Sequence, residues 1–322
     1  MLRKLSLSTT LFFCALQAHA QLPPACAPGE LPADDCGNAC IYCDFNGYTG
    51  MTSGYTPGSA PGFCGSIENE QWLGFIAGAS SATFTATAFN CINGNGVQIA
   101  LYADCNDMPV PGGCNGGAMG GANNPVSINV ALTPGANYYL LIDGYGGDQC
   151  DFTITVAPPS AVQAPPLGNV IGAIQGLPTL CPGATATYTV PPVTNAGAYT
   201  WTVPAGWLVN GDPGPLTVIA PGGNTVQITA GPNIGNNFQI CVQAGNSCDP
   251  DGPSICRGIN VQNIPVTVIP PVTICFEDAP YLLPWGDDAN TSGTYEAILQ
   301  SFLGCDSTVR QVVTVKNALI TT

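Results

Sequence analysis

Histidine is almost missing from this 322-residue chain, and basic residues are scarce: one His, five Lys+Arg and twenty Asp+Glu. Even these few are unevenly placed. Arg3 and Lys4 precede a short apolar run, "LSLSTTLFFCAL", and Ala18-His19-Ala20 follows as a small-x-small cleavage site, so residues 1–20 read as a signal peptide. The run is too short to span a bilayer, and the bulky Phe12-Phe13 argue against acylation at Cys14. The expected mature chain starts at Gln21 and is secreted. It keeps three basic residues (Arg257, Arg310, Lys316) against twenty acidic ones, a formal charge of −17, and no histidine. Each shortage closes a class of function. Three cations give no footprint for nucleic acid and no attraction to anionic lipid; membrane insertion is not expected. Without imidazole there is no Ser-His-Asp triad, no Cys-His dyad and no His-ligated zinc. Carboxylate pairs, thiols and oxygen-ligated metals are the reactive equipment left.

What is abundant is Gly (40), Pro (30) and Cys (16, of which fifteen follow the leader). In an exported chain that cysteine count reads as a disulfide framework, with an odd thiol over. No window has a helical period; period-2 segments recur. In "PVSINVAL", Val126, Ile128, Val130 and Leu132 share one side. In "GVQIALY", Val97, Ile99 and Leu101 do so, and in "CDFTITV", Phe152, Ile154 and Val156. The expectation is all-β: tandem antiparallel sandwiches whose strands have one buried and one wet face, stapled by disulfides.

Pro-rich stretches divide the chain. Residues 21–157 form a Cys-rich module, 158–168 ("PPSAVQAPPLG") a semi-rigid linker, 169–264 a middle module and 265–322 a short last one. In the middle module, "CPGATATYTVPPV", "AYTWTVPAGW", "NTVQITAG" and "FQICVQAGNSC" resemble the PKD-like (immunoglobulin-like) repeats of bacterial surface proteins. The resemblance implies a seven-strand sandwich with Trp201 in its core. Inward alternation of Phe238, Ile240 and Val242 turns Cys241 outward, against an inter-sheet disulfide there. The last stretch, with "SGTY" and "GCDS", resembles short modules of large secreted proteins from gliding bacteria; the resemblance implies a Cys275–Cys305 disulfide and either a fragment or a short member of that group. The first module is similar to Cys-rich, jelly-roll-like modules that open such proteins.

Candidate sites follow from residue chemistry. "DGYGGDQCD" brings Asp143, Asp148 and Asp151 into one Gly-rich loop, and "YADCNDMP" adds Asp104 and Asp107. Oxygen-rich loops of this kind suit calcium, which takes six to eight oxygen ligands. The spacing departs from the EF-hand pattern, and Asp-Gly and Gly-Gly are also ordinary strand-joining turns; the turn is the leading reading. Cys40-Ile41-Tyr42-Cys43 reads as part of a disulfide cluster; a redox pair and a zinc site of Cys36, Cys40, Cys43 and Cys64 are the competing readings. Tyr145 and Trp207 are candidate sugar-stacking side chains, placed at turns. Glu68 and Glu70, two apart and on one face if that segment is a strand, are a carboxylate pair whose spacing does not forbid glycoside hydrolysis. The functional expectation is a non-catalytic, adhesin-like or structural protein, with a surface glycan or protein as partner and no cofactor unless calcium. The alternatives are a calcium-dependent carbohydrate-binding module and an accessory region of a larger secreted enzyme.

Overall fold

Alternating Thr and Val/Ile/Phe side chains, with glycines at the reversals, fold as short strands in the computed structural model, which describes residues 22–121, 124–263, 267–300 and 306–316. Among these residues the only helical elements are four 3-10 turns, and no helix is long and apolar enough to cross a membrane. The fold is all-β, as expected, and six disulfides join described cysteines. The leader lies outside the described residues.

The first sandwich stacks two sheets. One runs Ile41–Tyr42, Gln71–Ile76, Asn137–Gly144, Val97–Tyr102, Cys114–Asn115 in spatial order; the other runs Thr49–Met51, Asp151–Ala157, Ser81–Phe89, Val126–Ala131. Between them lie Phe75, Phe84, Ile99, Leu101, Ile128, Val130, Phe152 and Ile154, matching the alternation. Two strands depart from the expected wet outer face. Gln71–Ile76 and Val97–Tyr102 are buried on both sides. The Cys-rich N-terminal loops fold over that outer face, where Trp72 and Tyr102 pack with Cys36, Ala39 and Ala60. Cys36–Cys105 and Cys64–Cys114 pin those loops to the sheet.

The second sandwich pairs a sheet of Thr179–Leu180, Ser254–Val261, Gly235–Gly245, Ala198–Thr202 and Leu216–Ile219 with one of Thr185–Thr189, Thr225–Thr229, Leu208–Val209 and Asp212–Pro213. Short extra strands take it past the seven expected. Trp201 is fully buried, and its indole N–H donates to Gly223 O at 2.9 Å. A buried indole needs such a partner, because an unmet donor costs about 1–3 kcal/mol. Cys241 faces away from this core and bonds Cys256, its register partner on the neighbouring strand of the same sheet.

The third unit is thin. Thr267–Cys275 runs parallel to Asp306–Lys316, which pairs antiparallel with Gly293–Gln300. Its buried core is Leu283, Ala289 and Val313. The expected Cys275–Cys305 bridge is not formed: Cys275 is free and exposed, and Cys305 lies outside the described residues.

The Pro-rich connector is docked, not free-running. Pro159–Val162 forms a 3-10 turn that buries Ala161 and Val162 in the first core. Gly78 N donates to Ala161 O at 3.0 Å and Ala164 N to Cys43 O at 2.9 Å. Beyond it, Gly168 N donates to Thr194 O on the second sandwich. Cys43–Cys248 then ties the sandwiches together covalently, across 205 residues of sequence.

Candidate functional site

The five carboxylates named as calcium candidates are held in separate arrangements. Asp148 is fully buried, and both its oxygens accept backbone amides: Asn93 N at 2.8 Å on Oδ1, with Asn95 N at 2.6 Å and Gly96 N at 3.1 Å on Oδ2. Gly146 and Gly147 adopt φ of 59° and 77°, the left-handed turn that lets the chain double back to place it there. Cys91–Cys150 staples the same two loops. Asp143, equally buried, accepts Glu68 N and Asn69 N on Oδ1 and Gln98 Nε2 on Oδ2. Burial pushes its carboxyl up to about 6, with those N–H donors pulling the other way. Asp151 binds Asn90 Nδ2 at 2.8 Å, Asp104 caps the amide of Asn106, and Asp107 is exposed. Among the described residues, no three of the five come within 4.8 Å of one another. N–H donors already meet the Asp143 and Asp148 oxygens, where a cation would need lone pairs free. The Gly-rich loop is a turn clamped by its own acid.

The other candidates are placed as plainly. Trp207, expected exposed, is a correction: it is buried against Phe238, ring centroids 5.5 Å apart. Pro-Ala-Gly turns the chain, but the indole folds back over Gly231. Tyr145 is half-buried and lies over Gly117. Cys40 pairs with Cys26 and Cys43 with Cys248, while Cys36 and Cys64 pair elsewhere, so neither the zinc set nor a C-x-x-C redox pair exists. Glu70 is fully buried and its carboxylate has no hydrogen-bond partner of good geometry. Desolvation raises its pKa, opposed by the nearby amides of its own residue and Gly58. Closed from solvent, it forms no substrate-facing pair with Glu68.

One concave feature was not legible in the sequence. A groove of about 440 Å³ runs along Thr49–Met51, the terminal strand of its sheet. Leu31, Pro32 and Met51 give it an apolar rim; Tyr48, Tyr55, Asp34 and Gln71 line it. Gln71 is fully buried at its floor. Its Nε2 donates to Met51 O at 2.8 Å, and its Oε1 has no partner. Asp34 holds Thr56 N at 2.8 Å and Thr56 Oγ1 at 2.6 Å, fixing the segment that carries Tyr55. Tyr42 stands edge-on to Tyr48 at 5.7 Å and donates its hydroxyl to Glu30 O. Burial pushes the Tyr48 hydroxyl up to about 12, with Tyr55 adding to it; Tyr55 is raised by burial and then by Asp34. Gly50 lets the Tyr48 ring settle against the buried Phe152, since a methyl there would lie 2.7 Å from the Phe152 ring and 2.9 Å from Tyr48.

Residues 167–261, the second sandwich, match the PKD-like domain family. No curated protein matches the chain in sequence. Among solved structures, the chain is similar to SGBP-B of the Bacteroides ovatus mixed-linkage glucan utilization locus, in complex with a mixed-linkage heptasaccharide. That match has 14% identity over 84% of this chain and 71% of that one, with a TM-score of 0.19. A β-1,2-glucanase from Parabacteroides distasonis matches at 13% identity over 70% and 38%, with a TM-score of 0.22. The glycoside hydrolase domain of Endo-D from Streptococcus pneumoniae R6 matches at 9% identity over 66% of this chain, with a TM-score of 0.22. The chain spans 37% of that domain's length. TM-scores this low carry no argument about function.

Proposed function

We propose that this chain is an extracellular, non-catalytic interaction protein, adhesin-like or structural, whose PKD-like domain and first sandwich act as one presenting body. The observation that carries the reading is the use of its reactive groups. The buried acids Asp143 and Asp148 hold loops, Glu70 is sealed from solvent, and twelve cysteines are tied in six disulfides. Such bonds fit an oxidising, extracellular setting. Its other support is the PKD-like domain at residues 167–261. The test uses the full chain, oxidatively folded and labelled. Retention on bacterial cells or extracted matrix, with no hydrolysis of common polysaccharides or peptides, is the expected result. Turnover abolished by one acidic substitution sinks it.

A second reading is carbohydrate recognition, favoured by the tyrosine-lined groove, since sugars stack on aromatic faces. Here the protein would still be a binder, with a glycan as its ligand.

A further inference from the structure

We infer that the groove along Thr49–Met51 seats an arginine side chain of an extended segment from a partner protein. This deepens the interaction reading above and rests on it. The walls of the groove carry a single charge, the Asp34 carboxylate. Gln71 lines the groove with its Nε2 bonded to Met51 O and its Oε1 buried from solvent. Asp34 adds a carboxylate, and Tyr48 and Tyr55 add π faces. No Lys, Arg or His lines the groove. The described basic residues, Arg257, Arg310 and Lys316, all lie beyond the first sandwich. Asp34, the one charged side chain in the lining, therefore gives the groove an attraction for positive charge. A neutral sugar hydroxyl can donate to the same acceptors but carries no charge for Asp34 to attract. A guanidinium brings five donors and no acceptor, and it stacks flat on tyrosine rings. The apolar rim of Leu31, Pro32 and Met51 suits the methylene stem of that side chain.

The backbone supports the same occupant. Thr49–Met51 pairs with one strand only, at Asp151–Thr153, and of its main-chain groups Met51 O is taken by Gln71 Nε2. An extended peptide adds to such an edge through main-chain bonds, with alternate side chains reading pockets. At this edge the pocket is the tyrosine-lined one.

The experiment titrates the full, oxidatively folded chain with the peptide acetyl-Thr-Val-Arg-Val-Thr-amide, with the same peptide carrying Gln for Arg, and with cellohexaose. Calorimetry reads the affinity. The arginine peptide should bind at least tenfold more tightly than the glutamine peptide, and less tightly as NaCl rises from about 50 to 500 mM. Tyr55→Ala and Gly50→Ala should each weaken it at least fivefold, with the melting midpoint showing that each variant is folded. Asp34→Asn should weaken the arginine peptide at least fivefold and flatten its salt dependence, unchanged binding counting against the inference, and Tyr55→Phe, which keeps the ring, should retain binding. Equal affinity for the two peptides, or indifference to Tyr55→Ala, overturns the inference. Binding of cellohexaose alone overturns it in favour of a sugar site. If the chain adheres to cells yet ignores the arginine peptide, the inference fails while the interaction reading stands; failure of both removes both.

Discussion

Replacing Asp148 by Ala should destabilise the first sandwich by about 3 kcal/mol. The side chain is fully buried and meets three amides, those of Asn93, Asn95 and Gly96. Asn93 is exposed and Asn95 half-buried, so water can take over their N–H groups; each loss costs about 0.5–1 kcal/mol. Gly96 is buried, and an abandoned buried donor costs about 1–3 kcal/mol. Those terms sum to roughly 2–5 kcal/mol, and Cys91–Cys150 keeps the two loops from separating fully. At about 2–4 °C per kcal/mol for a unit of this size, the melting midpoint should fall by roughly 6–12 °C. Calorimetry of the full chain with and without 5 mM calcium, and with EDTA, is the assay. The clamp predicts that Asp148→Ala lowers the midpoint equally in all three buffers and that wild type ignores calcium. A calcium-dependent rise in wild type that Asp148→Ala abolishes would refute the clamp and restore a metal site.

Further predictions follow from other contacts. The Asp143 carboxyl is raised from 3.8 to about 6, so the folded state holds its proton more tightly than the unfolded chain. Its contribution is present below about pH 3.8 and is lost as pH rises through about 6. Relative to wild type, Asp143→Asn should therefore gain about 2–3 kcal/mol between pH 4 and 7 in urea titrations; a pH-independent difference would refute this. In Gly78→Ala the new methyl would overlap the carbonyl oxygens of Ser160 and Gln163, undocking the connector at a cost of about 2 kcal/mol or more. Trypsin is a poor probe in so Lys-poor a chain, so proteinase K cleavage between residues 157 and 168 should report it. Cys43→Ser with Cys248→Ser opens a loop of 205 residues, worth at most about 5 kcal/mol in chain entropy, less what the inner disulfides already contribute. Guanidinium unfolding of oxidised chain and double variant checks the figure.

Much of the fold was visible in the residue pattern because a half-buried strand writes itself as alternation. Ile128, Val130, Phe152 and Ile154 all point where the period put them, and Trp201 sits in its core. The pattern misled where a third layer covers the sheet. Gln98 and Tyr102 look like an outer face, but loops tens of residues away in sequence bury them. The same long range hid the site. Partners of Asp148 lie more than fifty residues upstream, so an acidic loop could be read as cation ligands with no sign of the amides that occupy it. Trp207 follows a turn tripeptide, which says nothing about where its ring folds. The groove joins Tyr48 and Tyr55 to Gln71 through a strand pairing no local spacing announces.

The cross-link between Cys43 and Cys248 also decides how the molecule would carry a pull on its ends. Tension entering near residue 22 and leaving near residue 316 passes from one sulfur to the other and bypasses every residue between them, including nearly all of both β-sandwiches. Only the short flanks and the thin last unit can lengthen under load. Reduction of that single bond would release only part of the 205 residues, because Cys36–Cys105, Cys91–Cys150 and Cys241–Cys256 still hold much of the loop closed.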